Sequence, residues 1–255
     1  MSMPKHLRQE VRQLKRRAER WSSRKIVVEG EKCIAELCKS DWSVERIYFT
    51  HHWRDADLLK SSLFQTCENR IEVGQKDMTM MSSLKSAPGI LAVAKMPSSF
   101  NKLLEFKGTV LYLDNVSDPG NVGTLIRVAD WFGLSGVVLS PESADPISAK
   151  AIQSSMGSLF HIPVVIGSID EMPVEFKVNV VGLDAAGESI FLERESPKIT
   201  TLVVGSESHG LSQFARLSCH QFLSIPGRGR CESLNASVAG AVAVSSLIQQ
   251  NLIQL

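Results

Sequence analysis

Apolar positions along the chain alternate between short continuous runs and stretches at helical spacing, a pattern that predicts strands separated by helices. In the first part, 25–29 predicts a short strand and 31–39 a helix after Gly30. A second strand is predicted over 44–49, a helix over 58–68, an extended stretch over 71–73, and a strand over 90–94 behind Pro88-Gly89. A second series of apolar runs begins at 109–113 and recurs at 137–139, 163–166, 178–183, 202–204 and 222–225, with helical patterns at 122–132, 148–159 and 233–250. Strands apolar along their whole length suit burial on both faces, so this series predicts an open, mostly parallel sheet covered by helices. Pro97, Ser98, Ser99 and Asn101 mark a linker. The reading is an α/β chain without internal repeats, with a small unit at 1–97, a linker at 98–107 and a larger unit at 108–255.

Composition narrows the classes. The chain has 255 residues, 44% of them hydrophobic, and no apolar run is long enough to cross a bilayer, so no membrane association is expected. The N-terminus is charged from Lys5 onward without an apolar core behind it, which argues against a secretory leader. Five cysteines (Cys33, Cys38, Cys67, Cys219 and Cys231) form an odd set with no C-x-x-C pair. That excludes a disulfide framework or a zinc site as the organising feature and predicts a cytoplasmic setting.

Net charge is only +1, but the positive charge is uneven. Nine Lys and Arg residues between Lys5 and Lys25 face only Glu10 and Glu19, and Leu7, Val11, Leu14, Ala18 and Trp21 recur among them at helical spacing. This predicts a basic helix with one apolar stripe. Arg12, Arg16 and Arg20 on it are candidate contacts to RNA phosphates, whose counterions such a face would displace. The alternative is a solvated helix docked by its stripe.

Three loops directly after predicted strands have unusual composition, and ligands on open parallel sheets bind at the carboxyl ends of strands. The first, Asp114-Asn115-Val116-Ser117-Asp118-Pro119-Gly120-Asn121-Val122-Gly123, leads into a helix whose apolar face leaves Arg127 outside; Asn121 suits its N-cap. The second, Gly205-Ser206-Glu207-Ser208-His209-Gly210, carries a carboxylate at a sheet edge. The third, Ile225-Pro226-Gly227-Arg228-Gly229-Arg230-Cys231-Glu232-Ser233-Leu234-Asn235, adds the positive charges of Arg228 and Arg230 before a small-residue helix that Ser233 or Asn235 can cap. Turn chemistry and capping account for each loop taken singly. No G-x-G-x-x-G and no Gly-Lys-Ser/Thr occurs, which speaks against a dinucleotide-binding oxidoreductase or an NTPase.

Taken together and in this order, the loops resemble the three signature motifs of the SpoU/TrmH family of RNA ribose methyltransferases, in the SPOUT class. The resemblance runs through Leu113-Asp114-Asn115 … Asp118-Pro119-Gly120-Asn121-Val122-Gly123 … Arg127, then Gly205-Ser206-Glu207 … Gly210-Leu211-Ser212, then Ile225-Pro226 … Glu232-Ser233-Leu234-Asn235. Ser155-Met156-Gly157-Ser158-Leu159-Phe160-His161-Ile162-Pro163 also resembles the family, and Gly227 departs from it, standing where many members have Met. Val28-Glu29-Gly30-Glu31-Lys32 and Pro88-Gly89-Ile90-Leu91-Ala92-Val93 resemble the L30e-like substrate-binding domain often found ahead of this catalytic domain.

The resemblance implies a SPOUT-type sheet ending in a C-terminal trefoil knot that forms the cofactor pocket, and a homodimer packed through the knotted domain. It implies S-adenosyl-L-methionine as cofactor, held by Gly205, Ile225, Leu234, Ser233 and Asn235, and a catalytic set of Asn121, Arg127, Glu207, Ser233 and Asn235, with no metal. Arg12, Arg16, Arg20, Arg228 and Arg230 are the candidate RNA contacts. Arg127 is the family's proposed base, but a guanidinium resists deprotonation, so holding a phosphate and easing alkoxide formation is the alternative role. Asn121 would then orient Arg127 or the ribose, and Glu207 would anchor the arginine or a backbone amide. The expected activity is methylation of a ribose 2′-hydroxyl in structured RNA, ribosomal RNA favoured because the L30e-like domain resembles ribosomal-protein RNA binders. Transfer RNA as substrate, or a non-catalytic RNA-binding member of the family, are the alternatives.

Overall fold

A computed structural model describes residues 3–53, 67, 69–102, 107–193 and 197–253. In chain order its elements are α1 (Lys5–Gln13), α2 (Arg17–Ser23), β1 (Lys25–Glu29), α3 (Glu31–Cys38), β2 (Ser43–Phe49), β3 (Arg70–Glu72), α4 (Gln75–Met81), β4 (Ile90–Lys95), β5 (Val110–Leu113) and α5 (Pro119–Trp131). They continue as β6 (Gly136–Leu139), α6 (Ala149–Ser155), β7 (Val164–Ile166), β8 (Val180–Ser189), β9 (Thr201–Val204), α7 (Gln213–Ser218), β10 (Gln221–Ser224) and α8 (Ala236–Gln249). The helix expected over 58–68 falls, but for Cys67, outside the described residues. Two compact units result: Met1–Ser98 with Ile147–His161, and Ser99–Pro146 with Ile162–Leu255. Among the described residues no helix is long and apolar enough to cross a membrane.

The first unit holds a four-stranded sheet in the order β1-β4-β2-β3. β4 runs antiparallel to both its neighbours, and β3 runs parallel to β2. Its core joins Val11 and Leu14 to Val27, Tyr48, Met78, Met81, Leu91 and Val93. Burying each such side chain contributes about 1.5–3 kcal/mol, so the apolar stripe docks the N-terminal helix.

The stripe stops early, however. One continuous basic helix was expected from Lys5 to Lys25; the chain instead breaks at Leu14–Arg16 and restarts as α2, with Ala18 exposed. The cause is tertiary. The Arg20 guanidinium, only 6% exposed, turns back to donate to the carbonyls of Leu14 and Lys15 at 3.0 and 2.8 Å, satisfying acceptors the broken helix leaves open. Lys15 meanwhile donates to the Ser82 carbonyl at 2.6 Å and Arg8 pairs with Asp77 at 2.6 Å, both at or just beyond the ends of α4. α4 itself has no side-chain cap, and these contacts together with the fully buried Met78 and Met81 hold it.

The pattern over 148–159 also divides. Ser148 caps α6 by accepting from the Ala151 amide at 3.3 Å, and Met156 and Gly157 then enter left-handed conformations before a short 3₁₀ turn, Ser158–Phe160. A Cβ on Gly157 would lie 2.6 Å from the Cβ of Glu36, so this turn needs glycine both for its φ of 104° and for space.

The second unit is a six-stranded, wholly parallel sheet in the order β10-β8-β9-β5-β6-β7. β5, β6 and β9 are buried along their entire length, as continuous apolar runs require. β5 sits between β9 and β6, and β8 and β10 lie beyond β9. The carboxyl ends of β10, β8, β9 and β5 therefore line up side by side, and the three motif loops leave from three of them. β8 is longer than its apolar run: its pairing with β10 jumps from Gly182 to Glu188, so residues 183–187 leave the ladder at that same edge.

Candidate active site

The site begins with the caps of two helices. Asp118, not Asn121, caps α5: its Oδ1 accepts from the amides of Gly120 at 2.6 Å and Asn121 at 3.1 Å. Asn121 therefore lies inside the first turn, buried, with its side-chain amide released for another task. Asn235 caps α8, its Oδ1 accepting from the amides of Ser237 at 3.0 Å and Val238 at 3.3 Å and from the Ser237 hydroxyl at 2.6 Å.

These two asparagines meet Glu207. Asn121 Nδ2 donates to Glu207 Oε1; Asn235 Nδ2 donates to the same oxygen at 2.7 Å and to Asn121 Oδ1 at 3.0 Å. The Ala236 amide at the head of α8 adds a longer contact to Glu207 Oε1 at 3.4 Å. Three side chains from three motif loops thus close a hydrogen-bonded ring, with the carboxylate at the positive end of a helix where its charge is favoured. Glu207 does not cap α7, a task taken by Ser212, whose hydroxyl accepts from the Ala215 amide at 3.1 Å.

A cleft of about 330 Å³ opens beside the ring, within the size range of small-molecule sites. Gly205, Glu207, Ile225, Ser233 and Leu234 line it. Asn235 does not line it but follows Leu234 directly and holds Glu207 in place. The cleft also has a wall the motif reading missed: Leu183, Asp184 and Ala185 from the excursion in β8, and Arg216 from α7. Residues 183–187, of mixed character behind an apolar run, gave no signal of it.

Arg127 stands apart. It is exposed and makes no hydrogen bond or ion pair with a described residue. Six residues beyond Asn121, it lies about 9 Å along the helix and about 120° around it. The structure therefore brings together four of the five expected catalytic residues and leaves Arg127 on another face of α5.

Asp114, at the carboxyl end of β5, supports the same region. It is buried and accepts from the Ser212 amide at 2.6 Å and hydroxyl at 3.1 Å, tying the first motif to the end of the second. Its charge is felt nearby: burial and then the Asp114 carboxylate push the Cys219 thiol up to about 11 and raise the Tyr112 hydroxyl above its usual range.

Of the expected RNA contacts, Arg12 and Arg16 are exposed and line a groove of about 550 Å³ along α1 with Lys5 and Arg8, the latter paired with Asp77. Arg228 and Arg230 are exposed on the loop that bears Glu232, Ser233 and Leu234. Arg20 is a correction: buried and committed to two backbone carbonyls, it cannot reach a phosphate.

Comparison with known proteins bears on what this geometry serves. Residues 108–245 match the SpoU rRNA Methylase family, and residues 8–92 match the MRM3-like substrate binding domain. The chain is 31% identical over 239 residues to the 23S rRNA (guanosine(2553)-2′-O)-methyltransferase RlmP of Bacillus subtilis, covering 92% of this chain and 93% of that protein. The SpoU methyltransferase AviRb of Streptomyces viridochromogenes, solved with AdoMet bound, superposes with a TM-score of 0.85 at 25% identity, covering 97% and 98% of the two chains. An AdoMet-bound rRNA methyltransferase from Sinorhizobium meliloti shares the fold, with a TM-score of 0.82 at 23% identity over 98% and 96% of the two chains.

Proposed function

This chain belongs to the SpoU rRNA methylase family, and from that membership we propose that it methylates a ribose 2′-hydroxyl in ribosomal RNA with S-adenosylmethionine as methyl donor. The observation that carries the reading is the ring of Asn121, Glu207 and Asn235 beside a cleft lined by Gly205, Ile225, Ser233 and Leu234. The cleft suits the donor: Leu183, Val204, Leu223, Ile225 and Leu234 offer apolar walls for a purine, and the carboxylates of Glu207 and Glu232 favour a sulfonium cation.

S-adenosylmethionine supplies a methyl group already activated on positive sulfur. The chain has to align the ribose oxygen with that carbon and ease departure of the hydroxyl proton. Glu207 Oε1 is occupied by donors from Asn121, Asn235 and Ala236, so it serves as the anchor of the ring. Ser233 lines the cleft, and Asn235 holds Glu207 beside it. Although Arg127 lies on another face of α5, the family resemblance assigns it to the reaction, where its charge would hold the neighbouring phosphate and lower the cost of the alkoxide.

The direct test is transfer of labelled methyl from S-adenosylmethionine into ribosomal RNA, with 23S rRNA tried first because the Bacillus relative acts there. The expected product is a single ribose whose 3′ phosphodiester resists alkali. Label found only in transfer RNA would move the substrate assignment, and S-adenosylmethionine binding without transfer to either RNA would favour a non-catalytic member.

We assign 1–97 to RNA binding, 98–107 to a linker and 108–255 to catalysis, with a C-terminal trefoil knot in the last. The RNA-facing cations are Lys5, Arg12 and Arg16 in the α1 groove and Arg228 and Arg230 beside the cleft. Deleting the segment before Lys25 would remove Val11 and Leu14 and uncover the core of Val27, Met78 and Met81 that they pack against, which would confound the test, so substitution is the better route. Replacing Lys5, Arg12 and Arg16 by Gln together is expected to weaken RNA binding and flatten the slope of log K against log salt by about 2–3, at about 0.7 to 0.9 per neutralised phosphate. An unchanged slope would remove this groove from the interface.

A homodimer through the catalytic domain is part of the proposal. The small residues of α8 do not argue for it, since Gly240 packs against Leu125 of α5 in the same chain. Support comes from apolar residues left in solvent on those two helices, Trp131 at 80% and Val238 at 47% exposure. Sedimentation equilibrium at about one chain mass of 28.0 kDa would exclude it. The setting proposed is the cytoplasm, where the five thiols would stay reduced.

A further inference from the structure

The excursion in β8 that walls the cleft is not held by the sheet. Residues 183–187 leave the ladder between Gly182 and Glu188, yet both ends of the segment are packed hard against β10, and the Gly182 end also against Leu211 and Cys219, which flank α7. A Cβ on Gly182 would lie 2.7 Å from Leu211 Cδ1 and 2.9 Å from Cys219 Sγ; one on Gly187 would lie 2.6 Å from the Phe222 carbonyl. Between these fixed ends Asp184 does two things. Its Oδ1 accepts from the Ala186 amide at 2.9 Å, curling the excursion, and its Oδ2 accepts from Arg216 Nη2. The Asp184 side chain is 12% exposed and that of Arg216 44%, so the acid is the sheltered partner and the guanidinium closes over it. Arg216 is itself aimed by a second contact, its guanidinium carbon lying 5.5 Å from the centroid of the Phe222 ring, within cation–π range. Both residues line the cleft.

We infer that the Asp184–Arg216 pair is a brace that sets the donor-binding wall, making Arg216 a positioning residue for S-adenosylmethionine; this rests on the cofactor reading above. With both Asp184 oxygens engaged within the chain, the pair shapes the wall and leaves the backbone of Leu183–Ala185 to meet the ligand. Arg216 hangs from α7, whose N-cap Ser212 is gripped by Asp114, so the wall is tied through the helix to the end of β5.

The test is calorimetric binding of S-adenosylmethionine to the full chain and to R216M, D184N, R216K and the R216M/D184N double variant, with thermal unfolding of each in the absence of ligand. R216M and D184N are each expected to weaken binding about tenfold without lowering the unfolding midpoint by more than a few degrees. The double variant is expected to be no weaker than either single one, because the two act as a unit. R216K, which keeps the charge and loses the planar fork, is expected to recover part of the loss. Binding within twofold of the unmutated chain in both single variants overturns the brace alone. Additive losses in the double variant, or a large fall in the unfolding midpoint of both single variants, overturns it in favour of separate contacts or a general stabilising role. No binding by the unmutated chain overturns the brace and the cofactor reading together.

Discussion

Replacement of Arg127 by alanine is expected to lower methyl transfer by about 10²–10⁴-fold, the range for losing a group that manages proton transfer or developing charge. Affinity for S-adenosylmethionine should stay within twofold. The two halves of this expectation have different origins. Arg127 lies outside the set of residues lining the cleft and makes no hydrogen bond or ion pair with any described residue among them, so the donor should not register its loss. Yet it is an exposed, permanently charged group on the same helix as Asn121, with no ion-pair partner among the described residues. R127K sharpens the result. A lysine keeps the charge and loses bidentate geometry, so partial activity in R127K beside none in R127A would favour phosphate or alkoxide stabilisation. Single-turnover methylation of ribosomal RNA with saturating donor is the measurement, and turnover in R127A within threefold of the unmutated chain would strip Arg127 of any central part.

The second large effect is expected at Gly205, where an added methyl would lie 2.4 Å from the carbonyl carbon and oxygen of Gly210. These are backbone atoms that cannot swing aside. The loop they close is pinned by two backbone hydrogen bonds between Ser206 and Gly210, at 3.0 and 2.9 Å. G205A must open that pair, and at about 0.5–1.5 kcal/mol for each bond the cost is about 1–3 kcal/mol. Because the loop lines the cleft, donor affinity should fall about 10- to 100-fold. Glu207, two residues on, should drift from Asn121 and Asn235, so methyl transfer at saturating donor should fall as well. Calorimetry and single-turnover kinetics read the two losses separately; unchanged donor affinity would mean that the loop relaxes elsewhere at no cost.

The two units differ in how much of them could be read from the chain. In the second, each predicted strand overlaps an observed one, because a strand buried on both faces has to be apolar along its length and little else in a soluble chain looks like that. The extension of β8 past residue 183 was invisible for the complementary reason: residues 183–187 are mixed in character and leave the ladder with β10. In the first unit β1, α3, β2 and β4 were legible, but the insertion of β4 between β1 and β2 was not, since periodicity identifies an element without naming its partner. α4 carries no cap and little pattern and exists through buried methionines and the contacts from Arg8 and Lys15. Arg20 misled in the opposite sense. Its place among eight other cations reads as a solvated, phosphate-seeking face, whereas the fold uses it to cap a helix end.

The candidate site divides in the same way. Gly205, Glu207, Ile225, Ser233, Leu234 and Asn235 could be picked out because their loops, each following an apolar run, together resemble the family's motifs. The capping role of Asp118, the brace at Arg216 and the isolation of Arg127 could not, since each depends on the direction of a side chain.

Local pattern by itself determined that this chain alternates strands with helices, that its second sheet is parallel and buried, and that three polar loops leave strand ends; each follows from the period of apolar residues over a few positions. Strand order was decided only in three dimensions, and strand order is what sets those loops side by side. Asn121 meets Glu207 across 86 residues and Asn235 across 114. No repeat or spacing encodes such a contact: it arises when packing of the whole sheet selects one neighbour for each strand.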